Sequence, residues 1–330
     1  MFDPSFSSSS SSSYSLSASF PLVVSRLRAA GCVFAEDEAE LILSAARTPD
    51  ELDGMVAQRA SGLPLEHVVG WAEFYGLRIA VDAGVFVPRR RTEFLVGQAL
   101  ALSSPRAVVV DLCCGSGAVG AALASAVEDI ELYAADIDPV AVDCARRNIG
   151  ASGVVYEGDL YEPLPGQLRG RIDVLVANAP YVPTDAIALL PAEARDHEAR
   201  VALDGGSDGL DVQRRVAAAA SSWLAPGGHL LVETSERQAS RTVETFVGNG
   251  LVTRVVECDE LDATVVVGTR PGGGRRARST HAEASHAEAA RARAAHGEAE
   301  QDESAHAGGA HIGTAYAGTA HERAGAVLSL

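Results

Sequence analysis

Apolar positions recur at helical spacing through roughly the first sixty residues and then change period. Leu22, Val23 and Leu27, then Ala39, Leu41, Ile42 and Ala45, then Leu52, Met55 and Val56 contain pairs three or four apart, such as 23/27, 39/42, 41/45 and 52/56, and are interrupted by Gly31 and by the Thr48-Pro49-Asp50 breaker. This pattern predicts a small helical domain of two or three helices over residues 21–75. Period two takes over at residues 77–81 and 85–87, which predicts a hairpin within a linking segment, residues 76–97. A helix follows from near Thr92, with Glu93 in its first turn and Arg89, Arg90 and Arg91 just ahead of it. From Val108 onward, strands at 108–110, 131–135, 154–156, 172–177 and 229–233 alternate with helices at 118–127, 140–148, 210–224 and 238–248. Regular alternation of this kind predicts an α/β fold, a doubly wound parallel sheet, over residues 98–270. Residues 182–209 form a long excursion before the third of those helices, and strands at 252–258 and 263–269 read as a hairpin closing one edge.

The two ends depart from this pattern. Residues 1–20 are a serine tract with neither a basic n-region nor an apolar h-region, which argues against a secretory signal and for disorder. Residues 271–330 hold six of the nine histidines at a loose spacing of five, matching neither a helix face nor a metal-ligand spacing, and almost no large apolar residues. Disorder is expected there as well. The formal charge of −17 lies almost wholly in residues 1–270, since the tail's six Arg nearly balance its seven acids. An acidic body repels phosphate backbones and makes nucleic acid a poorer substrate. Five scattered cysteines without a C-x-x-C pair fit a reducing cytoplasm and give no disulfide framework or metal site. No apolar run is long enough to span a membrane.

Two constellations carry chemistry. The turn Asp111-Leu112-Cys113-Cys114-Gly115-Ser116-Gly117 follows the first strand of the alternating region, and Gly115 to Gly120 satisfy G-x-G-x-x-G, with Asp136 and its neighbour Ile137 about twenty residues on. Any adenosine ligand with a compact polar end suits such a turn. Asp111 would oppose a pyrophosphate and favour an ammonium group, so S-adenosylmethionine fits better than NAD. Asp136 is placed for the ribose hydroxyls, and Asp159 with Leu160 for the adenine edge. Cys113 and Cys114 read as small apolar fillers, with no His or Lys nearby to activate them.

The second constellation is Asn178-Ala179-Pro180-Tyr181, at the carboxyl end of the strand at 172–177, where open sheets keep their ligands. An amide oxygen, a carbonyl displaced by the following proline and a flat ring make a slot for a planar NH2 group. Such a slot suits methylation of nitrogen, on either a glutamine amide or the exocyclic amine of a flipped adenine. An NAD-binding oxidoreductase and a donor-binding protein without turnover are the readings from other classes.

The segments LEHVVGWAEFYGLRIAV, FVPRRRTEFLV, DLCCGSGAVG, the Asn178 motif, ALDGGSDGLD, LAPGGHLLVE with Gln238, and LDATVVVGTRP occur in this order over about residues 20–270. Together they resemble the protein-(glutamine-N5) methyltransferases of peptide-chain release factors, the HemK type. The resemblance implies a Rossmann-like class I methyltransferase domain that uses S-adenosylmethionine, and an N-terminal helical domain that holds the release factor; a monomer without a metal is expected. It puts Asn178 through Tyr181 at the acceptor glutamine, together with Arg89, Thr92 and Glu93. It puts the donor against Asp111, Cys113 to Gly117, Asp136, Ile137, Asp159, Leu160 and Asn178. The chain departs from the family pattern at Ala179, which stands where the family has proline, at Cys113, where it has glycine, and at Arg90, where it has proline.

Overall fold

The computed structural model describes residues 19–272; the expected disorder of the serine tract and of the histidine-containing tail lies outside them, apart from the residues at their inner borders. Four helices open the described chain: α1 (Phe20–Ala29), α2 (Ala35–Ala45), α3 (Pro49–Ala60) and the short α4 (Leu65–Val69). The breaker that separates α2 from α3 also starts α3, because the Thr48 side chain accepts from Glu51 N at 3.2 Å and Pro49 takes the first turn. Leu27, Ile42 and Val56, drawn from three helices, are fully buried against one another.

The hairpin lies earlier than its predicted place. It joins β1 (Trp71–Phe74) to β2 (Leu77–Ala80), and residues 85–87 form no strand. Tyr75 and Gly76 both take positive φ, +51° and +72°, the two-residue turn whose twist suits a hairpin. The alternation at 85–87 has another cause: Val85 and Val87 are buried in a small cluster with Ala72, Val81, Ala141 and Cys144.

Beyond α5 (Thr92–Leu102) the predicted alternation is found. It runs β3 (Val108–Leu112), α6 (Ala118–Ala126), β4 (Glu131–Asp136), α7 (Pro139–Ile149), β5 (Gly153–Glu157) and β6 (Ile172–Ala177). The excursion then carries α8 (Ala192–His197) between 3-10 turns, and α9 (Asp211–Trp223), β7 (Leu224–Thr234), α10 (Glu236–Gly248), β8 (Val252–Cys258) and β9 (Ala263–Thr269) complete the chain. The seven strands lie in the order β5-β4-β3-β6-β7-β9-β8; β9 is antiparallel to β7 and to β8, and the other pairings are parallel. From β3 the chain moves outward through β4 and β5, then crosses back to place β6 on the other side of β3. This reversal makes a topological switch point at the carboxyl ends of β3 and β6. β3 is buried along its whole length, and apolar clusters cover the two faces of the sheet.

The excursion folds back over those carboxyl ends. Residues 182 and 204 form a bridge, as do residues 84 and 198, and Ala199 N donates to Gly84 O at 3.0 Å. On the helical segment, Arg59 donates to Glu193 at 2.7 Å. Among the described residues no helix is long and apolar enough to cross a membrane.

Candidate active site

One cavity opens over the switch point. It is lined by the turn after β3, by the ends of β4, β5 and β6, by the segment leading to α5, and by the excursion. Of the residues singled out in the sequence, Asp111, Cys113, Cys114, Gly115, Ser116, Asp136, Ile137, Asp159, Leu160, Asn178, Ala179, Pro180, Tyr181, Arg89 and Thr92 line it. Gly117 and Glu93 do not. Gly117 takes φ +76° as the cap of α6, and a Cβ there would fall 3.0 Å from Ala145, so its part is to let α6 pack on α7. The Glu93 carboxylate accepts from Tyr75 N at 2.9 Å and fastens the β1–β2 turn.

The floor beneath the glycine turn is acidic. Asp111 is 2% exposed, and its Oδ2 accepts from Gly120 N at 2.9 Å. Burial raises its carboxyl to about 7, with the Gly120 hydrogen bond opposing and Asp136 adding to the rise. Among the described residues no cationic side chain forms an ion pair with it. Asp136 shapes the turn itself: Oδ2 accepts from Gly115 N at 2.8 Å and Oδ1 from Asp138 N at 3.0 Å, and burial raises this carboxyl too. Asp159 is turned toward Arg215, which donates to it at 2.6 Å. That leaves Leu160, in the left-handed region at φ +51°, beside it in the wall. Burial pushes the Cys113 and Cys114 thiols well up, which makes them inert fillers as the sequence indicated. Asp111 and Asp136, buried and with no ion-pair partner among the described residues, fit a ligand carrying positive charge and oppose a pyrophosphate, so the residues present fit S-adenosylmethionine and not NAD.

At the other side of the cavity the carbonyls of the Asn178 motif have different fates. Tyr181 O accepts from Gln238 Nε2 at 2.9 Å, and the same amide group donates to Asp208 O at 3.1 Å. Pro180 O abuts Gly205, where a Cβ would come within 2.7 Å of it. Ala179 O accepts no backbone N–H among the described residues, although Ala179 is buried and lines the cavity. Pro180 constrains this peptide even without the preceding proline of the family pattern. Asn178 Nδ2 donates to Thr92 Oγ1 at 3.3 Å, which leaves its Oδ1 uncommitted among the described residues. Two oxygens of the motif, one from an amide and one from a peptide, thus remain available to a donor group.

Glu198 and Glu233, both buried, had no signal in the sequence, being single acids without a local motif. Glu198 accepts from Arg89 at 2.5 Å and from Val87 N at 3.2 Å, so the Arg89 charge is spent in the cavity wall. Burial raises the Glu198 carboxyl while Arg89 opposes. The glycines of the 205–209 run did carry a signal. Gly209, at φ +77°, lies so close that a Cβ would fall 2.2 Å from Tyr181 O and 2.3 Å from Gln238 Nε2.

A sheet with this switch point, a glycine turn over an acidic floor and an amide-ended strand define a Rossmann-like class I methyltransferase. A family model described as the methyltransferase small domain matches residues 76–206. The release factor glutamine methyltransferase of Geobacter sulfurreducens is 39% identical over 230 residues, covering 68% of this chain and 80% of that one. That of Mycolicibacterium smegmatis is 41% identical over 210 residues, covering 63% and 74%. A solved structure of a release factor-specific protein-(glutamine-N5) methyltransferase from Alicyclobacillus acidocaldarius is 23% identical, with a TM-score of 0.35 over 56% of this chain and 94% of that one. The chain belongs to the release factor glutamine methyltransferase family.

Proposed function

We propose that this chain methylates the side-chain amide nitrogen of a glutamine in a protein, the peptide-chain release factor, with S-adenosylmethionine as donor. Membership of the family supports the reaction. The observation that carries the site is the pair of uncommitted acceptors, Asn178 Oδ1 and Ala179 O, in a cavity whose other end is acidic. The donor, when bound, supplies an electrophilic methyl group on a sulfonium. Asp111, Asp136 with Ile137, and Leu160 beside Asp159 hold it, the acids meeting its positive charge and its ribose.

An amide nitrogen is a poor nucleophile because its lone pair is delocalised into the carbonyl. Asn178 Oδ1 and Ala179 O each accept one N–H of the acceptor amide, which fixes its plane and turns the nitrogen lone pair toward the methyl group. The acceptor nitrogen held by Asn178 Oδ1 and Ala179 O would gather positive charge as it takes the methyl group of the bound donor, the C–S electrons staying on sulfur. Both acceptors strengthen with that charge, and the now acidic nitrogen then loses its proton to solvent water. Two acceptors admit an NH2 group and reject a carboxylate, so glutamate is excluded. Thr92 keeps Asn178 in the rotamer this needs. The helical segment, α1 to α4, serves the protein acceptor.

The test is incubation of the protein with labelled donor and either release factor or DNA and RNA oligonucleotides, followed by mass spectrometry of the acceptor. Label on a single release-factor glutamine is expected. Label on adenine and none on protein would move the assignment to the exocyclic amine of a nucleobase.

A further inference from the structure

The slot needs a wall as well as acceptors, and the structure holds that wall from behind. Arg91 is 14% exposed; its Nε donates to Glu233 Oε1 at 3.2 Å, and Glu233, near the carboxyl end of β7, is 2% exposed. Its Nη2 donates to the Tyr181 hydroxyl, and the guanidinium carbon lies 5.8 Å from the ring centroid. At its other end Tyr181 is fastened through its carbonyl by Gln238. The Tyr181 phenol is pushed up to about 12 by burial, with Arg91 opposing, so it stays protonated and takes the Arg91 hydrogen bond on oxygen.

We propose that Arg91, anchored by Glu233, is a positioning residue that acts through the Tyr181 hydroxyl to fix the ring against which the acceptor amide lies. This rests on the functional reading above. A guanidinium suits the task because its planar fork reaches a carboxylate and a phenol at once from a fixed geometry, which a lysine ammonium on a flexible stem does not. Glu233 supplies the counter-charge that makes a buried cation tolerable there. With the carbonyl and the hydroxyl of Tyr181 both held, the ring is fixed along its long axis, and a tilt of the acceptor plane away from the methyl group is blocked.

The experiment compares wild type, Arg91→Ala, Arg91→Lys, Tyr181→Phe and the double variant Arg91→Ala/Tyr181→Phe on a release-factor acceptor, with kcat and KM measured separately and donor binding followed by calorimetry. Misplacement of the reacting groups by a fraction of an ångström is expected to lower kcat about ten- to a hundredfold in Arg91→Ala, with KM for the donor within about twofold. Arg91→Lys is expected to recover part of the loss. In the Tyr181→Phe background, which keeps the ring and removes the hydroxyl, the Arg91→Ala step is expected to cost less than about twofold. Equal losses in the two backgrounds would make Arg91 a general structural residue and overturn the proposal, as would a wild-type kcat in Arg91→Ala. Should Arg91→Ala not fold, Tyr181→Phe decides alone, since a wild-type kcat there removes the bond through which Arg91 acts. Wild-type protein that leaves every glutamine unmodified would overturn the functional reading and this inference together, whereas active wild type with an unaffected Arg91→Ala overturns the inference only.

Discussion

Three side chains separate binding from chemistry at the scale of single residues. Asn178 touches the reacting nitrogen in the proposed mechanism, and truncation to Ala removes an acceptor that strengthens as charge develops. Loss of one such preorganised group typically costs about a hundred- to a thousandfold in kcat. Asn178→Ala is therefore expected to lower kcat by that order while calorimetric donor affinity changes much less. Thr92→Val keeps the volume at a buried position and removes the hydroxyl that orients Asn178; an intermediate loss of kcat is expected in the same assay. Asp111 makes the pH prediction. Its folded-state carboxyl sits at about 7, above the ordinary value of 3.8, so the folded form holds a proton that the unfolded form gives up. The stabilising contribution is complete below about pH 4 and is lost as pH rises through 7. A cation bound beside Asp111 drives that proton off. Donor binding at pH 6 is thus expected to release a proton, measured by calorimetry in buffers of different ionisation enthalpy, and the release is expected to vanish in Asp111→Asn.

At the scale of elements, the glycine run 205–209 is a brace for the acceptor motif. Gly205 N donates to Val182 O at 2.9 Å, Val182 N donates to Leu203 O at 3.0 Å, and Gln238 joins Tyr181 O to Asp208 O. Gly209→Ala forces either Tyr181 O or Gln238 to move and demands a left-handed alanine. It is expected to lower stability by about 1–3 kcal/mol in a denaturant midpoint and to lower kcat more steeply than a distant substitution of equal cost. The sheet elements were legible because buried parallel strands read as short β-branched runs, and β3, β4, β6 and α7 lie within a few residues of their predicted places. The β1–β2 hairpin was misplaced because Val85 and Val87 alternate for burial in a loop, whereas the Tyr75-Gly76 turn lacks the asparagine or aspartate that usually marks such a pair. α8 went unread because a six-residue helix presents too few apolar positions to show a period.

At the scale of the whole molecule, Arg59 ties the helical segment to the excursion. Arg59 is 11% exposed, forks onto both oxygens of Glu38 at 2.6 and 3.1 Å, and reaches Leu63 O at 2.9 Å as well as Glu193. Arg59→Met keeps much of the bulk and strands Glu38, itself 6% exposed; removal of one partner from a buried pair costs roughly 3–5 kcal/mol. A denaturant midpoint shift of that order is expected, with part of it recovered by adding Glu38→Gln. None of this was legible in the sequence, for Arg59, Glu38 and Glu193 are single residues far apart in the chain, and a tertiary ion pair leaves no local period. The acceptor and donor motifs were legible because each is contiguous and ends a strand. Glu233 and Glu198, their buried supports, were not.

The strand order also constrains how the polypeptide is made. β9, the last strand of the described residues, sits between β7 and β8, both of which precede it in the chain. During synthesis β7 therefore keeps an open flank, and β8 has no neighbour, until residues 263–269 have left the ribosome. Closure of this side of the sheet therefore waits on β9, and a nascent chain arrested before that point leaves both the β7 flank and β8 open to foreign strands.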